Sequence, residues 1–364
     1  MEGKMVISVI GTLFGSSGYA SHTRSLAEAL NKVTPCKIIT QLPPNFERDV
    51  SDAELEMIKR DEDFKINLII THPIYWAHNA YAETNYAYLI WEGSHIPKWI
   101  LEEAKNEKIT KILVASNHTL KAVENSTTDQ AILSKIILTP HGVKASFLGR
   151  SSSNAERVDN LPLLAQDAFK FLANKGLRNL EDRGGLQYLI KAYLEEFNPD
   201  EKVELVLKLN GAYGIPNLME MFPALKGKTP KVSLITDHLT DEQLRELYNQ
   251  CDVFVSPTRA EAFNLPCAEA MSQGLPVITS NFGGQTDYVT NSNGFLVSGK
   301  LKEVEHELEY EGVKWLTPDI QELRRALRDA FENQEQWKLL GKQAQIDIKE
   351  YTWDRTAKII NDIK

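Results

Sequence analysis

Two glutamates in the second half of the chain, Glu261 and Glu269, have the type and spacing to do chemistry together. Seven residues separate them in the stretch VFVSPTRAEAFNLPCAEAMSQGLPVI. VFVSP is a short apolar run of strand type that ends at its proline, and Pro266 stands where the first turn of a helix takes proline. The pattern predicts a helix over 266–273, ended by a left-handed cap at Gly274. Glu261 then lies in the loop before the helix and Glu269 in its first turn, facing the same small volume.

The start of this helix predicts an anion site beside the two carboxylates. The first N–H groups of a helix have no partner inside it, and the helix dipole adds partial positive charge. These groups lie near Asn264, Leu265 and Cys267. A phosphate bound there leaves Glu269 to accept hydrogen bonds from hydroxyls and Glu261 to contact a neighbouring group, which suits a sugar nucleotide. The alternative is that Glu261 is a solvated loop charge and that Glu269 only complements the dipole.

The whole stretch resembles the signature of the retaining glycosyltransferases called group 1 or family 4. Their pattern is E-x-F-G-L-P-x-x-E-A-M-x-x-G-x-P-V-I, followed by a Gly-Gly turn. Here EAFNLPCAEAMSQGLPVI departs at Asn264, where the family has glycine, and the turn is Gly283-Gly284. Asparagine is, after glycine, the residue that best tolerates left-handed backbone, so we expect the phosphate loop to be kept.

The resemblance implies a fold, a reaction and roles for the site residues. The fold is GT-B: two Rossmann-like α/β domains with a deep cleft between them and a C-terminal helix that crosses back to the first. The reaction moves a sugar from a nucleoside diphosphate sugar, UDP-sugar or GDP-sugar, to an acceptor hydroxyl with retention. It implies no permanently bound cofactor and no metal. Glu269 would hold the ribose hydroxyls, and Glu261 would lie by the transferred sugar.

Short apolar runs alternate with helical or polar segments along the whole chain, which predicts parallel sheets covered by helices. In the first half the runs are VISVIG, KIIT, NLIIT, YAYLI, KILVAS and KIILTP, and in the second AFKFLAN, VELVLKL, VSLITD, VFVSP, PVITS and GFLV. The serine-rich stretch 144–164 is the predicted linker. We therefore expect an acceptor-binding domain over 1–150, a nucleotide-sugar domain over 165–345 and a returning helix over 346–364.

Cations for the donor diphosphate are expected after the first strand of the second domain. The family has G-R-x-x-x-x-K-G there, and NKGLRNLEDRGG matches in part. Arg183 takes the lysine place, which is chemically acceptable because arginine binds phosphate bidentately. Arg178 or Lys175 would be the first cation, and Lys208, at a strand end, is a further candidate. The alternative for Arg183 is a surface charge at a helix start, where the dipole disfavours it.

Two loops complete the expected donor site. In the first, Gly15, Ser16, Ser17 and Gly18 could present backbone N–H groups to the diphosphate, although any strand-to-helix turn favours glycine and serine. In the second, TDHLT before an amphipathic helix places His238 and Leu239 near the nucleobase, whose identity the sequence leaves open.

The acidic stretch Asp-Glu-Asp at 61–63 is interpreted as solvated charge rather than a metal site.

Ligands of parallel sheets bind beyond the carboxyl ends of the strands. In the first half this rule selects Trp91 and Glu92, just past YAYLI, as residues that face the cleft, and Glu92 as a catalytic candidate; the alternative for the aromatics nearby is packing. His95 follows, near the place where many relatives have a histidine beside the sugar. His141 in TPHGV replaces the asparagine of the family's P-N-G-V turn, and His22 is predicted to lie on a helix surface.

Composition limits the possible partners. The formal net charge of −9 argues against nucleic acid, which needs a basic face. The three cysteines have no metal or redox spacing and are predicted to be buried thiols of a cytoplasmic protein. No apolar run has the length of a membrane span. A peripheral contact with the inner membrane face through Lys98, Lys105, Lys108 and Lys111 is left open beside a solvated helix face.

The leading hypothesis is thus a retaining glycosyltransferase whose acceptor is a glycan, a lipid-linked molecule or a protein. Arg183 and the helix start would stabilise the charge that develops on the departing diphosphate. A second hypothesis is a non-catalytic two-domain protein that closes on a sugar or nucleotide. A third is another cleft enzyme such as an epimerase or a phosphorylase, although the lysine setting of a phosphorylase cofactor is absent from the sequence.

Overall fold

The computed structural model of the protein describes residues 6–15, 17–45, 49–148, 164–211, 214–305 and 308–363. Ser16 of the predicted glycine loop and residues 149–163 of the predicted linker lie outside these ranges. Two compact units divide the chain. Unit 1 comprises Met1–Gly142, Val304–Val313 and Tyr351–Lys364, and unit 2 comprises Val143–Glu303 and Lys314–Glu350. The finer domain boundaries expected from the sequence stay a prediction.

Unit 1 is built on a parallel six-stranded sheet. Its strands are β1 (Ile7–Gly11), β2 (Cys36–Ile39), β3 (Ile66–Ile70), β4 (Thr84–Leu89), β5 (Lys111–Val114) and β6 (Ile136–Leu138). Their order in the sheet is β2-β1-β3-β4-β5-β6. The helices are α1 (Gly18–Val33), α2 (Asp52–Lys59), α3 (Trp76–Asn79), α4 (Lys98–Lys105), α5 (Asn117–Glu124) and α6 (Gln130–Leu133). Because helices cover both faces of a parallel sheet, strand residues such as Val9 and Leu68 are fully buried.

Unit 2 repeats this architecture. Its parallel strands are β7 (Phe169–Lys175), β8 (Val203–Leu209), β9 (Lys231–Ile235), β10 (Val253–Ser256), β11 (Val277–Ser280) and β12 (Gly294–Val297). Their order is β12-β11-β10-β7-β8-β9. The helices up to β12 are α7 (Leu186–Glu196), α8 (Leu218–Met221), α9 (Asp241–Asn249) and α10 (Leu265–Ser272). The predicted α/β fold with two Rossmann-like sheets is confirmed.

An antiparallel hairpin that the sequence analysis missed follows in unit 2. It consists of β13 (Gly299–Glu303) and β14 (Lys314–Pro318), which pair from Gly299 opposite Pro318 to Glu303 opposite Lys314. All residues of β13 are exposed, so the strand lacks the apolar alternation that marks a half-buried strand. The residues between the two strands, Val304–Val313, belong to unit 1.

The C-terminal part of the chain is helical. Pro318 is the last residue of β14, and Asp319 caps a helix α11 over Ile320–Glu332. That helix ends at Asn333, so Leu340 lies on a separate helix α12 (Gln334–Asp347). The last helix, α13 (Trp353–Asn361), is part of unit 1 and packs against α1, where Lys32 pairs with Asp354 at 2.7 Å.

Within the described ranges, no helix combines the length and the apolar character needed to span a bilayer. Across the same ranges, no group of at least three His, Cys, Asp or Glu residues is arranged to hold a metal ion. The three residues 61–63 are exposed. The three cysteines are free and buried, as predicted.

Candidate functional site

The candidate site lies in unit 2, where the order of strands reverses. From β7 the chain adds β8 and β9 on one side of the sheet and then β10, β11 and β12 on the other. In open parallel sheets, ligands bind beyond the carboxyl ends of the strands at such a reversal. The two loops that leave this point run from β7 to α7 and from β10 to α10, and they contain Lys175, Arg183 and Glu261.

Lys175 is the central cation of the site. It is the last residue of β7, its side chain is 6% exposed, and its Nζ donates to Glu261 Oε1 at 2.5 Å and to Asn264 Oδ1 at 2.9 Å. Burial acts to raise the pKa of Glu261, but the charges of Lys175 and Arg183 outweigh it and hold that pKa below its ordinary value. The carboxylate is therefore ionised at neutral pH, between two cations.

The Arg183 loop is fixed against the Glu261 loop by its backbone. The carbonyl of Arg183 accepts from the N–H of Arg259 at 2.8 Å and from the hydroxyl of Thr258 at 3.0 Å. Gly185, with φ +79°, caps α7, and a Cβ on it would meet the carbonyl oxygen of Pro257 at 1.9 Å. The close approach therefore requires glycine, and it brings Arg183 near enough to Glu261 to act on its charge.

The start of α10 has the left-handed backbone that the sequence led us to expect. Asn264 is the N-cap residue with φ 71° and ψ 64°, and its side-chain amide donates to Ser256 Oγ at 3.1 Å. One expectation needs correction. The N–H of Cys267 donates to the carbonyl of Asn264 at 3.1 Å, because the left-handed cap turns that carbonyl onto the helix. The N–H groups of Asn264 and Leu265 are those without a partner inside the helix.

The Gly283-Gly284 turn approaches the Glu261 loop, as its glycines predicted. The N–H of Gly284 donates to the carbonyl of Glu261 at 2.8 Å, and a Cβ on Gly284 would lie 1.9 Å from the carbonyl oxygen of Ala262. Gly283 has φ +115°. The turn thus supports the loop from the side of β11.

Glu269 lies in the second turn of α10 rather than the first, because the helix begins at Leu265. It is 8% exposed, and its Oε2 accepts from the hydroxyl of Tyr248 at 3.2 Å. Burial raises the pKa of Glu269 to about 7, Lys144 opposes this, and Asp241 adds to it. Lys144 and Asp241 form an ion pair at 3.0 Å. Glu269 therefore belongs to a network of its own, and its charge changes near neutral pH.

This raised pKa predicts an unusual pH dependence of stability. The pKa of Glu269 is higher in the folded than in the unfolded protein, so the folded state binds more protons between about pH 4.5 and 7. The stability that this group contributes is full below that window and is lost as the pH rises through it. We expect Glu269→Gln to unfold at a higher temperature than the wild type at pH 8, with little difference at pH 5. Equal differences at the two pH values would contradict the shift.

The other donor-site candidates of unit 2 lie in different surroundings. Arg178 is exposed, and its backbone N–H donates to Asp182 at 3.0 Å. Lys208 is buried, its Nζ donates to the carbonyl of Leu209 at 2.8 Å, and burial lowers its pKa. His238 is exposed and Leu239 half-buried, just before the capped start of α9. Of the predicted cations, Lys175 and Arg183 are thus the two that act on Glu261.

The candidates of unit 1 are Gly18 and Glu92. Gly18 is the exposed first residue of α1, after the N-cap Ser17. Glu92 follows β4, is 6% exposed, and accepts a hydrogen bond from the hydroxyl of Tyr310 at 2.8 Å. Trp91 is buried and stacks on the Tyr310 ring at 5.0 Å. The side chain of Glu92 is thus oriented by a residue that is far from it in the sequence.

The prediction that His22 lies on a helix surface is wrong. Its side chain is completely buried, and its ring lies 4.2 Å from that of His141 and 5.1 Å from that of Trp353. Burial lowers the pKa of His22 well below its ordinary value, with His141 as a second cause, and lowers that of His141 to about 3. The two imidazoles are therefore neutral. The physical reason is that α13 covers the face of α1 that carries His22.

Two tyrosines of these networks escaped the sequence analysis. Tyr248 lies on α9 and bonds to Glu269, and Tyr310 lies between β13 and β14 and bonds to Glu92. The amphipathic pattern of α9 was visible and placed apolar residues on its inner face. It gave no signal for which polar group a buried tyrosine would meet.

Comparison with known proteins finds a similarity to one family over part of the chain. Residues 177–333 match the family model of the group 1 glycosyl transferases. The chain is 26% identical over 220 residues to the serotype-specific mannosyltransferase WbdA of Escherichia coli, which is 57% of this chain and 23% of that protein. The matched part of the chain thus spans about a quarter of the length of these curated relatives.

Solved structures share the fold over nearly the whole chain. Sucrose-phosphate synthase from Thermosynechococcus elongatus superposes with a TM-score of 0.70 at 16% identity and covers 98% of both chains. Anabaena HepE in complex with UDP and glucose superposes with a TM-score of 0.67 at 15% identity, also over 98% of both chains. Residues 177–333, which are less than half of the chain, are thus similar to the group 1 glycosyl transferases, and the solved structures share the fold.

Proposed function

We propose that the protein is a retaining glycosyltransferase that moves a sugar from a nucleoside diphosphate sugar to an acceptor hydroxyl. The observation that carries the proposal is the group at the strand reversal of unit 2. There Lys175 contacts both Glu261 and the N-cap residue of α10, and Arg183 acts on the same carboxylate. Two cations and the start of a helix form a site for a diphosphate. The carboxylate of Glu261 beside them would contact the sugar that is attached to the diphosphate.

Each residue has a role in the proposed reaction. Lys175, Arg183 and the helix start stabilise the charge that develops on the diphosphate as the bond from its oxygen to the anomeric carbon breaks. Glu261 supports the positive character of that carbon. The acceptor oxygen bonds to the carbon from the same face, and its proton passes to the departing phosphate oxygen. Glu269 holds the ribose hydroxyls, and Glu92 is the catalytic carboxylate on the acceptor side.

The donor and the acceptor follow from the same proposal. A UDP-sugar or a GDP-sugar is the donor, and the UDP in the HepE complex supports the first. A glycan, a lipid-linked molecule or a protein is the acceptor; the relatives include a mannosyltransferase and the structure of an O-GlcNAc transferase from pneumococcus. Peripheral membrane contact and a cytoplasmic location stay predictions.

Calorimetric titration of the protein with UDP, GDP and ADP, without added metal, tests the donor site. We expect one of the three diphosphates to bind selectively. Glu269→Ala should weaken that binding about tenfold or more, because it removes hydrogen bonds to a charged acceptor. Glu335→Ala on the exposed surface of α12 is the matched control. Equal heats from all three nucleotides, or none, would contradict the proposal.

A further inference from the structure

The segment Val304–Val313 belongs to unit 1, although in the sequence it lies between β13 and β14 of unit 2. Its ends are joined by the hydrogen bond from the N–H of Val304 to the carbonyl of Val313 at 3.0 Å. The N–H of Val313 donates in turn to the carbonyl of Tyr310 at 2.9 Å. These two bonds fix the place of Tyr310, and we call the described residues 308–313 the Tyr310 loop.

The Tyr310 loop is packed against the turn that follows β4. A Cβ added to Gly93 would lie 2.2 Å from Val313 Cγ1, so the loop occupies the space that a larger residue at position 93 would need. Val313 is 1% exposed. The Tyr310 ring stacks on Trp91 with centroids 5.0 Å apart and planes at 24°. The Tyr310 loop is thus closely packed at this turn, through the Trp91–Tyr310 stack and through Val313 against Gly93.

The same loop holds the carboxylate of Glu92. The hydroxyl of Tyr310 donates to Glu92 Oε1 at 2.8 Å, and the Glu92 side chain is buried. The backbone on either side is fixed independently: His118 Nε2 donates to the carbonyl of Glu92 at 2.9 Å, and the hydroxyl of Thr119 donates to the carbonyl of Trp91 at 2.8 Å. With the backbone fixed by α5, the hydrogen bond from Tyr310 sets the direction of the carboxylate.

We propose that Tyr310 is a positioning residue for the reaction and acts through Glu92. This inference rests on the proposed function, in which Glu92 serves the acceptor. A phenol that donates to one carboxylate oxygen favours the ionised form and keeps the side chain in one rotamer. The second half of the chain thereby contributes to the acceptor side of the reaction as well as to the donor site.

Tyr310→Phe tests this role because it keeps the ring stack on Trp91 and removes only the hydroxyl. The assay is release of UDP from UDP-glucose with water in place of the acceptor. We expect kcat to fall about tenfold, as for loss of a hydrogen bond to a charged group, with KM for UDP-glucose unchanged. The acidic limb of the rate–pH profile should move to higher pH, because the carboxylate loses a group that favours its ionised form.

Two further variants separate positioning from structure. Tyr81→Phe removes the hydroxyl of an exposed tyrosine before the amino end of β4, at the opposite edge of the sheet, and should leave kcat and the profile unchanged. In Glu92→Gln, adding Tyr310→Phe should cause no further loss of kcat, since the tyrosine acts through the carboxylate.

The outcomes distinguish this inference from the function on which it rests. If the wild type turns over UDP-glucose and Tyr310→Phe has the same kcat, the role of Tyr310 is overturned and the proposed function stays in place. Additive losses of kcat in the double variant would have the same consequence. Wild-type protein that binds none of UDP, GDP and ADP in the titration would overturn both.

Discussion

Replacement of Lys175 by alanine is expected to lower the rate of sugar transfer by about 100- to 1000-fold, the usual effect of removing one group that stabilises transition-state charge. Lys175 contacts Glu261 at 2.5 Å and the N-cap side chain of α10 at 2.9 Å, so the variant loses positive charge where we place the diphosphate. The loss should appear in kcat for UDP-glucose turnover, because the charge on the leaving group grows in the transition state.

The same replacement leaves Glu261 with less compensation for its buried charge. The pKa of Glu261 should then rise, since burial already acts to raise it and one of the two cations that oppose burial is gone. We expect a loss of roughly 2 kcal/mol in the free energy of unfolding, the cost of a charged group deprived of its partner. Denaturant unfolding at pH 7 measures this cost.

A double variant distinguishes the two effects of Lys175. Lys175→Ala combined with Glu261→Gln removes the unpaired charge and should restore most of the stability, while transfer stays slow. Lys191→Ala, at an exposed lysine of α7, is the matched control and should change neither quantity by much. Turnover of Lys175→Ala within about threefold of the wild type would refute the diphosphate site at the end of β7.

The parallel sheets and the helix that carries Glu269 were predictable because their signals are local. A buried parallel strand is a short apolar run, and the start of α10 combines a left-handed asparagine with a proline. The predicted helix over 266–273 differs from the observed Leu265–Ser272 by one residue at each end. The reversal of strand order in unit 2 then follows from the predicted Rossmann-like fold. This reversal also places the loop of Glu261 at the carboxyl ends of the strands.

The remaining features depend on contacts between distant residues. The bond between Tyr248 and Glu269 joins positions 21 apart, and the bond between Tyr310 and Glu92 joins positions 218 apart. No periodicity carries that information. The exposed strand β13 has no apolar face, so the hairpin and the Tyr310 loop gave no pattern to detect. His22 looked like a surface residue because only the position of α13 shows which face of α1 is covered.

Unit 1 is expected to lose about 3 kcal/mol of stability between pH 6.5 and pH 5, about 1.6 kcal/mol for each of two buried histidines, because the slope approaches about 1.4 kcal/mol per pH unit only below the unfolded pKa. His22 and His141 have pKa values lowered by burial in the folded protein, to about 3 for His141. The unfolded chain therefore binds more protons than the folded chain below about pH 6.5. By this sign, the stability is present above pH 6.5 and lost as the pH falls.

The replacement His141→Asn tests the origin of this loss. Asparagine does not titrate, and it is the residue that the resembled family has in this turn, so the backbone should be kept. We expect the pH dependence of unfolding between pH 6.5 and 5 to fall by about one proton, which reduces the loss at pH 5 by roughly 2 kcal/mol. Chemical denaturation at several pH values measures the slope, and His78→Gln, an exposed histidine of unit 1, is the control.

The pH dependence of unfolding that remains in His141→Asn comes from other buried groups. His22 keeps its burial in that variant, because Tyr88 at 4.4 Å and Trp353 at 5.1 Å still surround its ring. His118, whose pKa is lowered chiefly by burial, adds to the slope with the same sign. In unit 2, Glu269 contributes with the opposite sign over the same range, so the difference between variant and wild type is the quantity to compare. An unchanged slope would mean that His141 binds its proton equally well in the folded and the unfolded protein, so that burial does not lower its pKa.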